Sequence, residues 1–249
     1  MKKILLIITA LMLLCALWLL SKPTMSEIGI AYAKPAEAGQ ALTVTWFGVT
    51  TLLIDDGVTQ ILIDGYFSRP SLLDIALERA IEPDQAAIEG MLDRFEINRL
   101  KAVIPVHSHF DHALDSAEVA KQTGAQLMGS ATTAQIAAGS HLPITQIKVI
   151  ETETVYPVGA FEVTFYPSQH APLATNSAIS GTVAAPLTLP APYTAWKLGQ
   201  AYTLVITHPK GRMLIQGSAG FEPDALAKVE VDAVFLGTGG LPTLSRAHQ

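Results

Sequence analysis

His107-Ser108-His109-Phe110-Asp111-His112 gathers three of the protein's seven histidines and one carboxylate into six residues. It follows an apolar run, Ala102-Val103-Ile104-Pro105-Val106, and precedes a stretch that reads as helix. That order places the polar cluster at the carboxyl end of a buried strand, where α/β folds keep their chemistry. Alternation along an extended segment sends His107, His109 and Asp111 to one side. His112 enters the helix and arrives from a different direction. Four such groups are costly to bury together unless something pairs them. Imidazoles and a carboxylate converging from two directions suit zinc or a similar divalent ion. A solvated loop is the plainer reading, and it leaves their density unexplained.

Upstream of this cluster, Leu42-Thr43-Val44-Thr45-Trp46 alternates and is β-rich. Thr51 to Ile54 and Thr59 to Ile63 flank Asp55-Asp56-Gly57, a strong hairpin turn signal. Asp64 ends the second run and is a candidate for orienting a ligand from behind, with a turn or cap role as the equal alternative. Ser68 to Leu100 reads as helical, with Pro83 at a first turn and Ile88, Met91, Leu92 and Phe95 at helix spacing. Downstream, Asp115 and Glu118 predict a capping box for a helix that ends at Gly124. Ala125 to Met128 reads as a strand, and Ser130 as the cap of a helical turn reaching Gly139. His141 reads as an ordinary loop histidine.

Gln146 to Ile150, Thr152 to Tyr156 and Phe161 to Tyr166 are three further β-like runs. The last leads into Pro167-Ser168-Gln169-His170-Ala171-Pro172. A histidine just past a strand end, in a loop fixed by prolines, is a candidate distant ligand. Ala171 to Pro192 is long for a connection and predicts a pocket rim, with Tyr193 and Trp196 either lining it or packing beneath it. Tyr202 to Thr207 and Arg212 to Gln216 form another hairpin, whose turn holds His208 far from the strand ends that carry the cluster. Pro223 to Val229 reads as a helix and Val231 to Leu236 as a strand.

The chain has 249 residues, 49% of them hydrophobic, which is enough for one medium domain with a proper core. The formal charge of −6, without basic blocks or aromatic-basic interleaving, disfavours nucleic acid as a partner. A small-molecule substrate is expected; the sequence says nothing of oligomeric state. The single cysteine, Cys15, lies in the N-terminal apolar segment, so the domain is expected to have neither disulfide nor thiolate ligand. Met1-Lys2-Lys3 and the apolar run Ile4 to Leu20 read as an export signal or membrane anchor, which places the domain outside the cytoplasm. Ala31-Tyr32-Ala33 resembles a cleavage site. The expected division is a signal or anchor over 1–20, a Pro- and Gly-containing linker over 21–40, and one folded domain over 41–249 that carries the histidine cluster.

His-x-His-x-Asp-His after a hydrophobic strand resembles the metal-binding signature of the metallo-β-lactamase superfamily. Thr45-Trp46-Phe47-Gly48, Thr51-Leu52-Leu53-Ile54 and Ile61-Leu62-Ile63-Asp64-Gly65 fit the same pattern, and the resemblance runs from about residue 42 to 241. Within the superfamily the likeness is to bacterial metal-dependent hydrolases rather than to true β-lactamases. The resemblance implies an α/β fold, an αββα sandwich. It also implies a first metal site of His107, His109 and His170, and a second that uses Asp111 and His112. Two positions depart from the pattern. Where the superfamily has an aspartate bridging two metals, this chain has Ser218, in Gln216-Gly217-Ser218-Ala219-Gly220. A neutral hydroxyl is a poor bridge, so Ser218 is expected to bind a water or a substrate oxygen, or to serve as a turn residue. The superfamily also continues to a last metal-binding histidine. His248 comes too soon after Gly240 to be that residue, so the chain reads as truncated, short of part of the second αβ layer.

The expected activity is metal-dependent hydrolysis of an ester, lactone, amide or phosphodiester. Zinc is the expected ion, one more readily than two, with manganese or iron left open. Asp111 and His112 are the expected catalytic pair. A metal- or ligand-binding relative without turnover is the alternative, and an iron redox enzyme is a third class that Ser218 weighs against.

Overall fold

The computed structural model describes residues 2–20, 41–171, 177–218, 220 and 222–237. The chain divides into two compact units, Met1–Lys34 and Pro35–Gln249. In the first, α1 (Lys2–Leu20) is a single helix. No helix among the described residues is long and apolar enough to cross a membrane. An anchor that spans the bilayer over 4–20 is therefore not borne out. Ile4–Leu20 at about 1.5 Å per residue reaches about 25 Å, short of a hydrocarbon core of about 30 Å. The expected linker, the Ala31-Tyr32-Ala33 site and His248 lie outside the described residues.

The second unit opens with β1 (Thr43–Trp46), β2 (Leu52–Asp55) and β3 (Gln60–Ile63). Then come α2 (Leu72–Ala76), β4 (Ala80–Ile81), α3 (Gln85–Arg94), β5 (Leu100–Ile104), α4 (Phe110–Ala113), α5 (Ser116–Thr123), β6 (Gln126–Gly129) and α6 (Ala131–Gly139). The remainder runs β7 (Ile147–Val149), β8 (Val155–Val158), β9 (Phe161–Ser168), β10 (Ala191–Pro192), β11 (Ala201–His208), β12 (Gly211–Gln216), α7 (Pro223–Leu226) and β13 (Ala233–Leu236). One sheet has the order β1-β2-β3-β5-β6-β7 and the other β13-β12-β11-β9-β8. In the first, β3, β5, β6 and β7 are parallel, because α-helical crossovers return the chain to the same end each time. In the second, β8, β9, β11 and β12 form an antiparallel meander closed by a parallel β13.

Period-two alternation divides the side chains between two cores. Ile54, Ile61, Ile63 and Ile104 point between the sheets and meet Phe161, Val163, Phe165, Leu204, Ile206 and Ile215. Leu53, Leu62, Val103 and Leu127 point the other way, onto Ile88 and Phe95 around α3 and onto Ala117 and Val119 of α5. Each such side chain, fully buried, contributes about 1.5–3 kcal/mol. Helices thus cover the outer face of the first sheet, and α7 lies against β9 of the second. This is the expected αββα arrangement.

Three local expectations are corrected. Residues 68–100 are two helices separated by β4, not one helical segment. Ser71 and Asp84 cap α2 and α3, and Pro83 precedes the second cap instead of opening the helix. Asp115 makes no cap bond to α5, since its backbone is helical (φ −97°, ψ −13°) and not in the extended region a cap requires. Its carboxylate accepts from the amides of Phe67 and Ser68 and from Ser68 Oγ. The helix predicted over 223–229 is the single turn α7. Ser130 does cap α6, through a full capping box with Thr133.

Candidate metal centre

β5 carries the chain into Pro105-Val106, where the Val106 amide donates to Asp64 Oδ1 at 2.9 Å. Ser108 then turns away from the cluster. Its amide donates to Leu198 O, and its hydroxyl lies 2.9 Å from Thr133 Oγ1 and 3.2 Å from Ser130 Oγ. With Ser108 held on that side, His107 and His109 face the other. His107 Nε2 and His109 Nδ1 come within 3.1 Å. His109 is the N-cap of α4, so Asp111 and His112 both enter the helix. The extended side expected for Asp111 therefore ends at His109.

His170 arrives from the other sheet. The loop after β9 is joined to the strip after β12: Ala171 N donates to Ser218 O at 2.8 Å, and Ser168 Oγ donates to Gly220 O at 2.9 Å. His170 and Ser218 are thereby delivered together. The His170 ring centre lies 4.8 Å from that of His107 and 4.9 Å from that of His109. His107, His109 and His170 bring one ligand atom each within 4.8 Å of one another, and so do His107, Asp111 and His112. His107 belongs to both groups, a sharing that the sequence did not indicate. His141 is exposed, and His208 sits against Asp56.

The outward ring nitrogens decide what this cluster can hold. His109 Nε2 lies 3.1 Å from Ile179 O and His170 Nδ1 lies 2.8 Å from Ala171 O. A carbonyl only accepts, so these nitrogens carry the protons, and the other nitrogen of each ring has a bare lone pair. His112 Nδ1 donates to Asp64 Oδ2 at 2.6 Å, and its Nε2 faces Asp111 Oδ2 at 3.6 Å. Ser218 Oγ lies 2.8 Å from His107 Nδ1. Each histidine thus has one nitrogen fixed by a protein oxygen, the usual support for metal-ligating imidazoles. The 3.1 Å between His107 and His109 is also close to the spacing of about 3.3 Å between two nitrogens on one tetrahedral zinc. The donor set fits a divalent ion.

Electrostatics agree with that fit. Burial and the neighbouring imidazoles hold His107 well below the ordinary histidine range, and burial brings His109 down to about 4. Both are neutral at pH 7, as ligation requires. Burial opposes charge on His112 too, but Asp64 and Asp111 outweigh it and push the group up to about 9. Burial raises Asp64 despite His112. Asp64 and His112 accordingly act as one buried unit with the proton on His112 Nδ1. Asp64 thus contacts His112 Nδ1 and the Val106 amide, on the side that faces the cluster. Asp111 is 39% exposed at the side chain and free to meet solvent.

Sequence reasoning missed the Ser108–Ser130–Thr133 hydroxyl cluster and the carbonyls of Ile179 and Leu198. Only the Ser130 cap signal pointed toward any of them. The centre opens into a cavity of about 660 Å³, lined by Tyr193 and Trp196 among others, so the pocket-rim expectation holds for the described part of 171–196.

A two-sheet sandwich with helices outside and a histidine cluster at its strand ends defines a class of metal-binding αββα proteins. The sequence profile of the metallo-beta-lactamase superfamily matches residues 44–229, and the chain belongs to that superfamily. It is similar to a metal-dependent hydrolase of Methylobacterium nodulans, 27% identical over 129 residues, 52% of this chain and 48% of that protein. A metal-dependent hydrolase of Heliobacterium modesticaldum is 32% identical over 89 residues, 36% of this chain and 30% of that one. The matches thus span less than half the length of these relatives. Among solved structures, it is similar to a motif mutant of a metallo-beta-lactamase from Cronobacter sakazakii (TM-score 0.47, 15% identity, covering 83% of this chain and 80% of that one). It is also similar to the class B3 di-zinc metallo-beta-lactamase LRA-12 from an Alaskan soil metagenome (TM-score 0.46, 14% identity, 87% and 83%).

Proposed function

We propose that the chain is a zinc-dependent hydrolase acting on an ester, lactone, amide or phosphodiester of a small molecule. The observation that carries this is the set of ring nitrogens fixed from outside by Ile179 O, Ala171 O and Ser218 Oγ, which leaves their partners converged. His107, His109 and His170 hold the ion. Bound there, a divalent ion supplies Lewis acidity and makes water a nucleophile near neutral pH. Asp111, partly exposed beside the cluster, orients the attacking water and takes its proton. His112, aligned by Asp64, faces Asp111 through Nε2 and holds it in place. One ion is favoured over two, because Ser218 has no charge with which to bridge a pair.

Elemental analysis of the purified chain tests this, with His109→Ala and His208→Ala alongside. The expected result is about one zinc per chain, lost in His109→Ala and kept in His208→Ala. Absence of metal from folded protein overturns the reading. A metal- or ligand-binding member without turnover is the second reading, favoured by the serine at 218. It predicts zinc without hydrolysis across a screen of esters and phosphodiesters. Lys2-Lys3 and the apolar Ile4–Leu20 support export of the domain. Recovery of the protein only in the cytoplasmic fraction counts against that part.

A further inference from the structure

The segment Trp196-Lys197-Leu198-Gly199 runs behind the histidine cluster, and each of its residues is anchored. Trp196 is fully buried in the apolar group that includes Ala113 and Leu114 at the end of α4 and Ile136 of α6. Leu198 O accepts from the Ser108 amide at 3.1 Å, and Leu198 N donates to Ile179 O at 2.8 Å. Gly199 N donates to Gly181 O at 2.8 Å. Gly199 has φ +64° and approaches α6 so closely that a Cβ there would stand 2.7 Å from Thr132 Cβ and 3.0 Å from Ser130 Oγ. Between these fixed neighbours, Lys197 Nζ donates to Ala178 O.

These contacts converge on His109 from two sides. Ser108, the residue before it, is held directly by Leu198 O. The ring is held by Ile179 O, 3.1 Å from Nε2. A carbonyl oxygen has two lone pairs, and Leu198 N and His109 Nε2 take both of those on Ile179. The direction of that carbonyl therefore sets the direction of the ring. Ile179 closes a single 3₁₀ turn, Ser177–Ile179. Such an end leaves carbonyls without partners inside the turn, and a lysine ammonium is well suited to them. The peptide from Ala178 to Ile179 is one rigid plane, so a hold on Ala178 O fixes where Ile179 begins. Lys197 is half-buried. Its stem starts from a backbone fixed at Trp196 and Leu198, which leaves it less freedom to lose on making the bond.

We infer that Lys197 is a positioning residue for His109: through Ala178 O it holds the turn whose next carbonyl orients the imidazole. Lys197 is not among the residues that could hold the ion. Its bearing on the metal centre rests on the metal-binding reading of the cluster. A surface lysine resting on a carbonyl is the plainer alternative, and it predicts no effect on His109 or on the ion. The test compares the full chain with Lys197→Met, which keeps an apolar stem and loses the ammonium, and with Lys197→Arg, which restores a cationic donor. The first readout needs no ion. It is the exchange of the His109 Nε2 proton with water in metal-free protein, followed by NMR and assigned by its absence in His109→Ala. Lys197→Met is expected to speed that exchange by about tenfold or more, and Lys197→Arg to bring it back. The amides of Leu62 and Val103, on the central strands of the first sheet, report overall stability and are expected to keep their rates. The second readout is zinc affinity by competition with a chromogenic chelator. Lys197→Met is expected to weaken it by about tenfold, with Lys197→Arg near the parent. Unchanged exchange at His109 in Lys197→Met overturns the inference. So does an equal acceleration at Leu62 and Val103, which makes the lysine a general stabiliser, or an unchanged affinity in a parent that binds zinc. A parent that binds no zinc removes the metal-binding reading instead, and the exchange at His109 then decides the role of Lys197 alone.

Discussion

At the scale of single residues, Ser218 and Asp64 do the same task for two different imidazoles. His109 Nδ1 is bare and lies 3.1 Å from His107 Nε2, so without an ion His107 donates from Nε2 and Ser218 donates to Nδ1. Ligation at Nε2 requires the proton on Nδ1, and there the same hydroxyl accepts it. A serine can serve both states; an aspartate only accepts. Ser218→Ala is therefore expected to weaken zinc binding by about 10–100-fold, with little change in stability, measured by competition with a chromogenic chelator. Asp64→Ala removes the acceptor of both His112 Nδ1 and the Val106 amide, in a residue that is fully buried. Orphaning those donors costs about 1–3 kcal/mol each, and urea denaturation reads the loss. A variant as stable as the parent would mean that Asp64 is a mere turn residue. The clustered histidines were legible in sequence because their spacing is local: His107, His109 and His112 share one hexapeptide, and His170 follows a clear strand. Ile179 O and Leu198 O were not legible, because any residue has a carbonyl and only the fold says which one faces His109 and which one Ser108 N.

At the scale of elements, the strands read well and the segment 68–100 did not. Strand runs declare themselves by alternation and turn residues, as around Asp55-Asp56-Gly57. In 68–100 the helical spacing of Ile88, Met91, Leu92 and Phe95 was real, but it belongs to α3 alone. What breaks the segment is long-range: Ala80 and Ile81 pair with Pro192 and Ala191, over a hundred residues away. Asp115 misled for a related reason. The motif of a capping box was present, while its carboxylate was drawn to the amides of Phe67 and Ser68. α6 joins local and distant roles in one residue. Ser130 Oγ accepts from Thr133 N at 3.1 Å and also touches Ser108, between His107 and His109. Ser130→Ala is expected to cost about 1–2 kcal/mol through the lost cap, and to loosen zinc binding through Ser108. Ser130→Thr keeps the hydroxyl and restores both. Loss of stability with unchanged zinc affinity would confine Ser130 to capping.

For the whole molecule, the two sheets meet the site at one end and a buried clasp at the other. β3 and β5 run toward the histidines, so the β2–β3 turn lies at the far end, where β11 finishes at His208. There Asp56 Oδ2 lies 3.3 Å from His208 Nε2, and His208 Nδ1 accepts from Lys210 N, which leaves the proton on Nε2 for Asp56. His208 also packs on Phe161 at 4.7 Å between ring centres. Burial pushes the Asp56 carboxyl up, but the Thr59 and Val58 amides and His208 outweigh it and leave the group below its usual 3.8. A carboxylate depressed on folding contributes stability above its unfolded pKa and loses it as pH falls through the folded value. Asp56→Asn turns an amide N–H toward the His208 donor and is expected to destabilise the fold by about 1–3 kcal/mol at neutral pH. The gap from the parent should narrow as pH falls below 3.8 and through the lowered folded value, as the parent's own carboxylate is protonated. Zinc content should be unchanged, because the clasp and the histidines sit at opposite ends of the same strands. A gap that does not narrow on acidification assigns Asp56 to the turn alone, and a loss of zinc would mean that the far ends of the sheets are coupled through the core between them.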